Sequence, residues 1–483
     1  MLDTHLAMSL AAVVLILAAL ASGFVERAPI SFPILFLLLG AALGPRGFGI
    51  LAVDLHSPIL EAVGVLTLAF VLFLDAVKLR FDGGWRAWTA PVLALGPGTL
   101  ISIAAITGLA MVLFSLPPLL ALTVGAVLAS TDPVVLRDVL RNERIPRSVR
   151  RVLSVEAGMN DLVVLPVILV VIALLQGQLG NVGDWLSYIG RVFLVAPASG
   201  FVIGGVGAWA MGEVDRRHGI RLEYQALYGV GLVLAAFLTG DFLGGDGFLA
   251  AFFGGLAVAV LNVRLCDCFM EYGEVTAEMF MLLSFVLFGA LLSVMLGPEL
   301  LLPGAALAVM SLAVVRPVSM GLVLLGARMS NSARLFIGWF GPRGLNSLLL
   351  VLLVIQAVPG NDHLMAIVGV VVCLSVIAHG VSATPLAAWY GRRAAAEVLP
   401  EERDGTAEGL FDQHADTVPR VSAAALADRL AGPNPPVVLD VRSRAAYDAD
   451  PSRIAGDVRV QPDRIEEWAA AQETPRAVVA YCT

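Results

Sequence analysis

Long apolar runs, separated by short clusters of Arg, Gly and Pro, set the rhythm of the chain from Leu6 to Tyr390. A helix of about 20 apolar residues crosses the ~30 Å hydrocarbon layer of a bilayer. The pattern predicts thirteen such spans, approximately Ala7–Phe24, Ile30–Leu43, Ile59–Val77, Trp88–Phe114, Leu119–Leu140, Val149–Leu175, Tyr188–Met211, Tyr224–Gly240, Phe248–Leu261, Ala277–Leu296, Leu301–Gly326, Ala333–Val358 and Leu364–Tyr390. The second and ninth are short and carry Gly or Pro, so twelve is the other count. Past Arg393 the pattern changes to short alternating segments in a polar background.

Composition agrees with the pattern: 58% of the 483 residues are hydrophobic and 14% charged, against roughly 25% charged in soluble chains. The net charge of −8 is unevenly placed. Of the 31 basic and 39 acidic residues, 9 and 16 fall in the ninety residues after Arg393. That shift marks a domain boundary: a membrane domain over 1–393, an acidic linker over 394–418, and a small domain over 419–483. Nothing suggests nucleic-acid binding.

The basic residues also orient the spans. Arg27, Lys78, Arg80, Arg86, Arg137, Arg141, Arg144, Arg147, Arg150, Arg151, Arg216, Arg217, Arg221, Arg264, Arg328, Arg334, Arg392 and Arg393 fall on one side, and only Arg46 and Arg191 on the other. The rich side is cytoplasmic by the positive-inside rule, which puts the tail in the cytoplasm and the N-terminus outside. No Lys or Arg precedes Arg27, so the first run lacks the basic n-region of a signal peptide and reads as a retained helix.

Two basic residues remain, Arg316 and Arg343, both inside spans. Buried charge of this kind needs a partner and points to function. Span six opens Val155-Glu156-Ala157-Gly158-Met159-Asn160-Asp161. Glu156 and Asn160 share a helical face, and Asp161 lies about 100° further round. Span five contains Thr131-Asp132-Pro133. Pro133 lacks an amide donor, Thr and Asp cap helix N-termini, and Pro is favoured at the first helical position. The span is therefore expected to stop and restart. A plain proline kink with a capping Asp is the bland reading. Span twelve contains Gly341-Pro342-Arg343-Gly344, a second break.

Spans five and twelve are seven apart, as an inverted repeat of spans one to six with eight to thirteen requires. Interrupted spans at matching positions point to a transporter's midplane site. Asp132 would then face the positive N-terminal ends of half-helices and Arg343 the negative C-terminal ends, a structural role for Arg343. Glu156 suits a fixed pair with Arg316; a solvated Glu156 at the interface is the alternative. Asp161 is left to bind either a proton or a metal ion, and competition for one carboxylate couples two fluxes.

Glu156-x-x-x-Asn160-Asp161, Thr131-Asp132-Pro133, Arg316 in span eleven and Gly341-Pro-Arg-Gly344 resemble, in this order, the monovalent cation:proton antiporters of the NhaP/NHE type. The resemblance covers roughly Leu6 to Tyr390. Phe73-Leu-Asp75-Ala is similar to a Phe-x-Asp-Ala segment of some members, which makes Asp75 a candidate accessory residue. The resemblance implies a homodimer in which a six-helix core, spans four to six and eleven to thirteen, moves like an elevator. Na⁺, K⁺ or Li⁺ would travel one way and H⁺ the other, with no cofactor. Asp161 would bind ion and proton, Asn160 and Asp132 would hold the crossing, Thr131 would supply oxygen ligands, and Glu156 would pair with Arg316. Asn before the Asp implies electroneutral exchange. Many members carry Ser where this chain has Ala157, so one hydroxyl ligand is missing. Met159 supplies no oxygen, which such ions prefer.

In the tail, Val421-Ser-Ala-Ala-Ala-Leu-Ala-Asp-Arg-Leu predicts a short helix, and Pro436-Val-Val-Leu-Asp440-Val-Arg442 and Arg476-Ala-Val-Val-Ala-Tyr-Cys482 predict strands. Alternation suggests a small α/β domain. Leu-Asp-Val-Arg442, Ala445-Ala-Tyr447, Ile454-Ala-Gly456 and Tyr-Cys482 resemble a rhodanese, with Cys482 at the sulfur-carrying position. The chain ends one residue later, so the resemblance is to a truncated domain; no sulfurtransferase activity is expected, and Cys482 reads rather as a chain-terminal thiol than as a sulfur carrier. Cys266-x-Cys268 is too sparse for a zinc site. Two other functions compete with antiport in the plasma membrane: a thiol or sulfur sensor whose tail gates the membrane part, and a gated cation channel.

Overall fold

The computed structural model describes residues 4–25, 31–79, 85–142, 144–261, 263–327, 329–396, 421–442, 447, 450–461, 464–472 and 477–481. The expected all-α membrane fold is present, and the described parts of the apolar segments are largely helical, those of spans five and twelve each as two helices with an unwound stretch between. In chain order these are α1 (Thr4–Val25), α2 (Phe32–Leu43), α3 (Pro58–Val77), α4 (Trp85–Leu93), α5 (Thr99–Phe114), α6 (Pro118–Ala129), α7 (Pro133–Arg141), α8 (Arg147–Met159), α9 (Asp161–Leu175) and α10 (Val182–Gly190). Then come α11 (Ala196–His218), α12 (Leu222–Phe242), α13 (Gly247–Leu261), α14 (Val263–Met295), α15 (Pro298–Val309), α16 (Arg316–Val323), α17 (Asn331–Trp339), α18 (Leu345–Ala357) and α19 (His363–Ala396). Among the described residues, nine helical stretches are long and apolar enough to cross a bilayer, and α2, α13 and α18 are shorter apolar helices.

The boundaries follow local chemistry. Helices α3, α6, α7 and α15 begin on Pro, whose missing N–H costs nothing in the first turn. Asn181 and Asp184 form a capping box at α10, and Ser330 caps α17. Three π-helical segments, Ala94–Gly98, Arg191–Val195 and Met310–Val315, join α4 to α5, α10 to α11 and α15 to α16. Each contains or precedes a proline, Pro97, Pro197 or Pro317. A proline leaves a carbonyl one turn back without its donor, and a π-bulge absorbs the mismatch. The last of these bulges delivers Arg316.

The helices pack into two bundles. In one, α11 and α12 pack on α13, α3 packs on α13 and α14, and α2 on α14. Backbones approach closely enough that a Cβ on Gly204 of α11 would overlap the Gly254 carbonyl of α13, the usual use of small residues between membrane helices. In the other, α5 and α9 pack on α6, α16 on α17, α15 and α18 on α19, and α18 and α19 on α6. This second bundle comprises spans four to six and eleven to thirteen. Outward faces carry exposed apolar side chains such as Val112, Trp209 and Leu302, as expected where lipid is the solvent.

Past α19, short helices and strands lie where the tail pattern predicts a small α/β arrangement. Helix α20 (Ala423–Leu430) precedes strand β1 (Val437–Asp440), β2 (Val458–Arg459), α21 (Ile465–Ala470) and β3 (Val478–Tyr481). The sheet is parallel in the order β2-β1-β3, with Leu439 opposite Val458 and Ala480. Arg442 is buried on the Asp440 carboxylate at 2.7 Å. Most of the 394–418 segment and Cys482 lie outside the described residues, as do the side chains of Cys266 and Cys268.

Candidate functional site

Spans five and twelve both break, and the breaks touch. Helix α6 ends at Ala129 and α7 begins at Pro133; α17 ends at Trp339 and α18 begins at Leu345. The Asp132 amide donates to the Pro342 carbonyl at 2.9 Å, tying one unwound stretch to the other. Non-helical backbone at membrane depth must be satisfied by protein, and here all four half-helix ends are met by buried side chains.

The two N-terminal ends share one carboxylate. Asp132 accepts from Val134 N at 2.9 Å, at the start of α7, and from Leu345 N at 2.8 Å, at the start of α18. The C-terminal ends share two guanidiniums. Arg343 Nη1 donates to the carbonyls of Ala129 at 2.9 Å and Ser130 at 3.1 Å, and Arg316 Nη2 donates to Phe340 O at 3.1 Å. Negative charge at helix starts and positive charge at helix ends is the arrangement the helix dipole favours. Asn160 Nδ2 and Ser347 Oγ complete the end of α6 at Ala129 O and Val127 O. Gly341 and Gly344 allow the close approach. A Cβ on Gly341 would overlap Arg316 Nε, and one on Gly344 would overlap the Asp132 carboxylate.

Glu156 is not solvated; it is 1% exposed and faces Arg316 in a two-pronged pair, with both N–O distances 2.9 Å. Thr131 Oγ1 at 3.4 Å and Asn160 Nδ2 at 3.3 Å also donate to Glu156 Oε1. Thus the structure brings Thr131 and Asn160 to Glu156. The side chains on Asp161 are different ones. Ser130 Oγ donates to Asp161 Oδ1 at 2.7 Å, and Asn346 Nδ2 donates to Asp161 Oδ2 at 3.0 Å. All three are buried.

Ser130 and Asn346 belong to the two breaks but carry no charge, and neutral polar residues in an apolar run give a weaker signal than Asp or Arg. Ser375 and His379 of α19 were equally silent. Ser375 Oγ accepts the Arg343 backbone N–H at 2.7 Å, and His379 Nε2 donates to Trp339 O at 2.9 Å.

Asp75 lies apart on α3, in the other bundle. It is buried and lines a cavity of about 240 Å³ between α3, α7, α8 and α14, together with Lys78, Pro133, Arg137, Gly158 and Glu274. Arg137 of α7 pairs with Glu278 of α14 at 3.4 Å across the two bundles, and Lys78 pairs with Glu274 at 3.1 Å. Among the described residues no group of three or more His, Cys, Asp or Glu is placed to hold a metal ion.

A family model described as sodium/hydrogen exchanger, transmembrane, matches residues 12–389. The chain is similar to a K⁺/H⁺ antiporter NhaP of Alkalimonas amylolytica, 26% identical over 386 residues, covering 77% of this chain and 65% of that protein. It is 27% identical over 397 residues to a K⁺/H⁺ antiporter NhaP2 of Shewanella oneidensis, covering 80% and 67%. It is 24% identical over 405 residues to a Na⁺/H⁺ antiporter NhaG of Bacillus atrophaeus, covering 80% and 75%. The chain therefore spans about two thirds of the length of the first two relatives. The fold matches the structure of the sodium proton antiporter MjNhaP1 from Methanocaldococcus jannaschii with a TM-score of 0.68, at 22% identity, covering 78% of this chain and 99% of that one. With the family model spanning most of its length, the chain belongs to the transmembrane sodium/hydrogen exchanger family.

Proposed function

We propose that the chain is a secondary transporter that exchanges a monovalent cation for H⁺ at Asp161. The observation that carries this is the charge balance at the crossing. Asp132, Glu156 and Asp161 are buried there with Arg316 and Arg343. Glu156 is taken by Arg316, and Asp132 by two helix starts. Arg343 is taken by the end of α6. Asp161 is held by neither a guanidinium nor the starts of two half-helices, and its hydrogen-bond partners are two neutral side chains, Ser130 and Asn346. The five ionised groups leave one negative charge, which one monovalent cation or one proton neutralises. Either load then makes the bundle electrically equivalent, which supports electroneutral one-for-one exchange.

In this reading the bundle of spans four to six and eleven to thirteen shifts as a body against the other, carrying Asp161 between the two membrane faces. Asn160, Thr131 and Asp132 hold the crossing around it, Glu156–Arg316 and Arg343 are its fixed charges, and Asp75 lines an approach from the Arg-rich side. The protein acts as a homodimer of thirteen-span protomers in the plasma membrane, with its tail in the cytoplasm. The names of the relatives favour K⁺ or Na⁺ as cargo.

The test is purified protein in vesicles with an acid interior and a pH dye. External K⁺, Na⁺ or Li⁺ should dissipate the pH gradient, and clamping the membrane voltage should leave the rate unchanged. Asp161→Asn should abolish the response while the protein still elutes as a folded species. Exchange by Asp161→Asn at the wild-type rate would overturn the assignment.

A further inference from the structure

The two neutral side chains on Asp161 come one from each break. Ser130 closes α6, and Asn346 is the second residue of α18. Each occupies one oxygen of the carboxylate, at 2.7 and 3.0 Å, and they are 1% and 3% exposed. A buried carboxylate without a counter-ion needs such donors. Both donors, however, also carry oxygen. The Ser hydroxyl keeps its lone pairs when its proton turns away, and a half-turn of the Asn amide puts a carbonyl oxygen where Nδ2 stood.

We infer that Ser130 and Asn346 are ligands of the transported cation, forming with Asp161 a three-oxygen cup that changes from hydrogen-bond donor to cation acceptor as the load changes. This inference rests on the antiport reading of Asp161 and adds two residues to it. With no load, Ser130 and Asn346 donate to the ionised carboxylate. With a proton, the acid donates to the Asn346 carbonyl oxygen and accepts from Ser130. With a cation, Asp161, the Ser130 hydroxyl and the Asn346 carbonyl each present an oxygen. One charge plus neutral oxygens suits a monovalent ion, whereas divalent ions draw on more carboxylates. The cup also spans both broken helices, so loading it ties spans five, six and twelve into one unit.

Thr131, the nearer hydroxyl by sequence to Asp132, is engaged with Glu156 at 3.4 Å. It therefore serves as an internal control: loss of its hydroxyl should act on the fixed ion pair and on stability, and loss of Ser130 on the cation.

The experiment measures cation half-saturation and maximal exchange rate in proteoliposomes for wild type, Ser130→Ala, Ser130→Thr, Asn346→Leu and Asn346→Gln, with K⁺, Na⁺ and Li⁺ in turn. Ser130→Ala and Asn346→Leu should each raise the half-saturation concentration about tenfold or more, the scale of one lost contact to a charge, with a smaller change in maximal rate. Ser130→Thr, which keeps the hydroxyl, should return it to within about threefold of wild type, and Asn346→Gln should change the ratio among the three ions. Equal half-saturation constants in wild type, Ser130→Ala and Asn346→Leu, with Asp161→Asn inactive, would overturn this inference and leave the antiport reading standing. Absence of exchange in wild type would overturn that reading instead. If Ser130→Ala or Asn346→Leu does not fold, the conservative pair decides. An unchanged ratio among the three ions in Asn346→Gln, or a half-saturation concentration in Ser130→Thr raised about tenfold or more, then counts against the cup.

Discussion

Replacing Glu156 with Gln keeps the shape of the site and removes one charge, so Arg316 is left ionised at about 1% exposure with no carboxylate. Its two 2.9 Å contacts to Glu156 are lost or weakened, and only the Phe340 carbonyl at 3.1 Å remains for Nη2. Two charges about 4 Å apart interact by about 4 kcal/mol at an effective dielectric near 20. Breaking a buried pair from one side costs about 3–5 kcal/mol, because the survivor stays desolvated. With unfolding entropy of about 2.1 cal/mol/K per residue over roughly 390 membrane residues, ~4 kcal/mol corresponds to a fall in Tm of about 5 °C. Arg316→Met should cost a similar amount by stranding Glu156. The double variant strands neither, so it should be more stable than the sum of the two losses by about 2 kcal/mol, within the range measured for contacting residues. The assay is thermal melting of the three variants in one detergent, followed by intrinsic fluorescence. Additive losses, or single losses under about 1 °C, would refute the view that the pair is a fixed element of the crossing.

Four further outcomes follow from the same geometry. Gly341→Ala and Gly344→Ala should each lower stability by about 1–3 kcal/mol, the cost of overpacking, because Arg316 and Asp132 are held by several bonds and cannot yield; melting checks this. Asp132→Ala removes the acceptor for two helix starts, and at about 1 kcal/mol per cap should cost about 2 kcal/mol in the same assay. The Arg137–Glu278 pair is about one third exposed on each side, so Glu278→Gln should change stability by less than about 1 kcal/mol; any larger effect on exchange, read in vesicles, would have to come from movement of the two bundles. In the tail, burial pushes the Asp440 carboxyl up, but hydrogen bonds from the Arg442 side chain and backbone outweigh it and hold the group below its ordinary value. Because the folded value is depressed, the stabilisation is present above about pH 4 and lost as pH falls through the folded value. Hydrogen exchange at β1, corrected for intrinsic rate, should show protection falling over that window.

What the sequence disclosed depended on how costly each residue is to bury. Asp132, Glu156, Asp161, Arg316 and Arg343 stand out in apolar runs because a charge in a membrane demands a partner, and Pro133 and Pro342 mark their breaks because a proline removes a backbone bond. Thus both breaks, the Glu156–Arg316 contact and the unmatched Asp161 could be read before any fold was known. Ser130, Asn346, Ser375 and His379 could not. Small neutral polar groups are common in membrane helices, and only the third dimension shows that Ser130 and Asn346 meet on one carboxylate. The π-segments were equally silent: Pro97, Pro197 and Pro317 announce a disturbed helix, but whether the ladder kinks or bulges depends on packing. Thr131 shows the converse. The resemblance implies Thr131 as an oxygen ligand; its hydroxyl donates to Glu156 while that of Ser130 donates to Asp161, and nothing in the sequence tells the two neighbours apart.

The charge balance also bears on leakage. If the mobile bundle carries one net negative charge when empty and none when loaded, the empty form must carry an ionised group through a low-dielectric region that the loaded form crosses as a neutral body. Insertion scales put that cost at about 2.5–3.5 kcal/mol, and each 1.4 kcal/mol is a factor of ten. The empty bundle should therefore cross roughly a hundredfold less often than the loaded one. Such a bias is sufficient to couple two gradients, because a cation released on one side is replaced by a proton before the return stroke. It requires that Asp161 be the one group whose charge the load changes. A second free acid on the same bundle would let the half-loaded form remain charged, and a missing guanidinium would have the same effect. If Asp161 is the exchanging group proposed above, the fixed partners of Glu156 and Asp132 are as necessary to coupling as that carboxylate: they would hold two of the three acids electrically constant so that the third alone decides when the bundle can move.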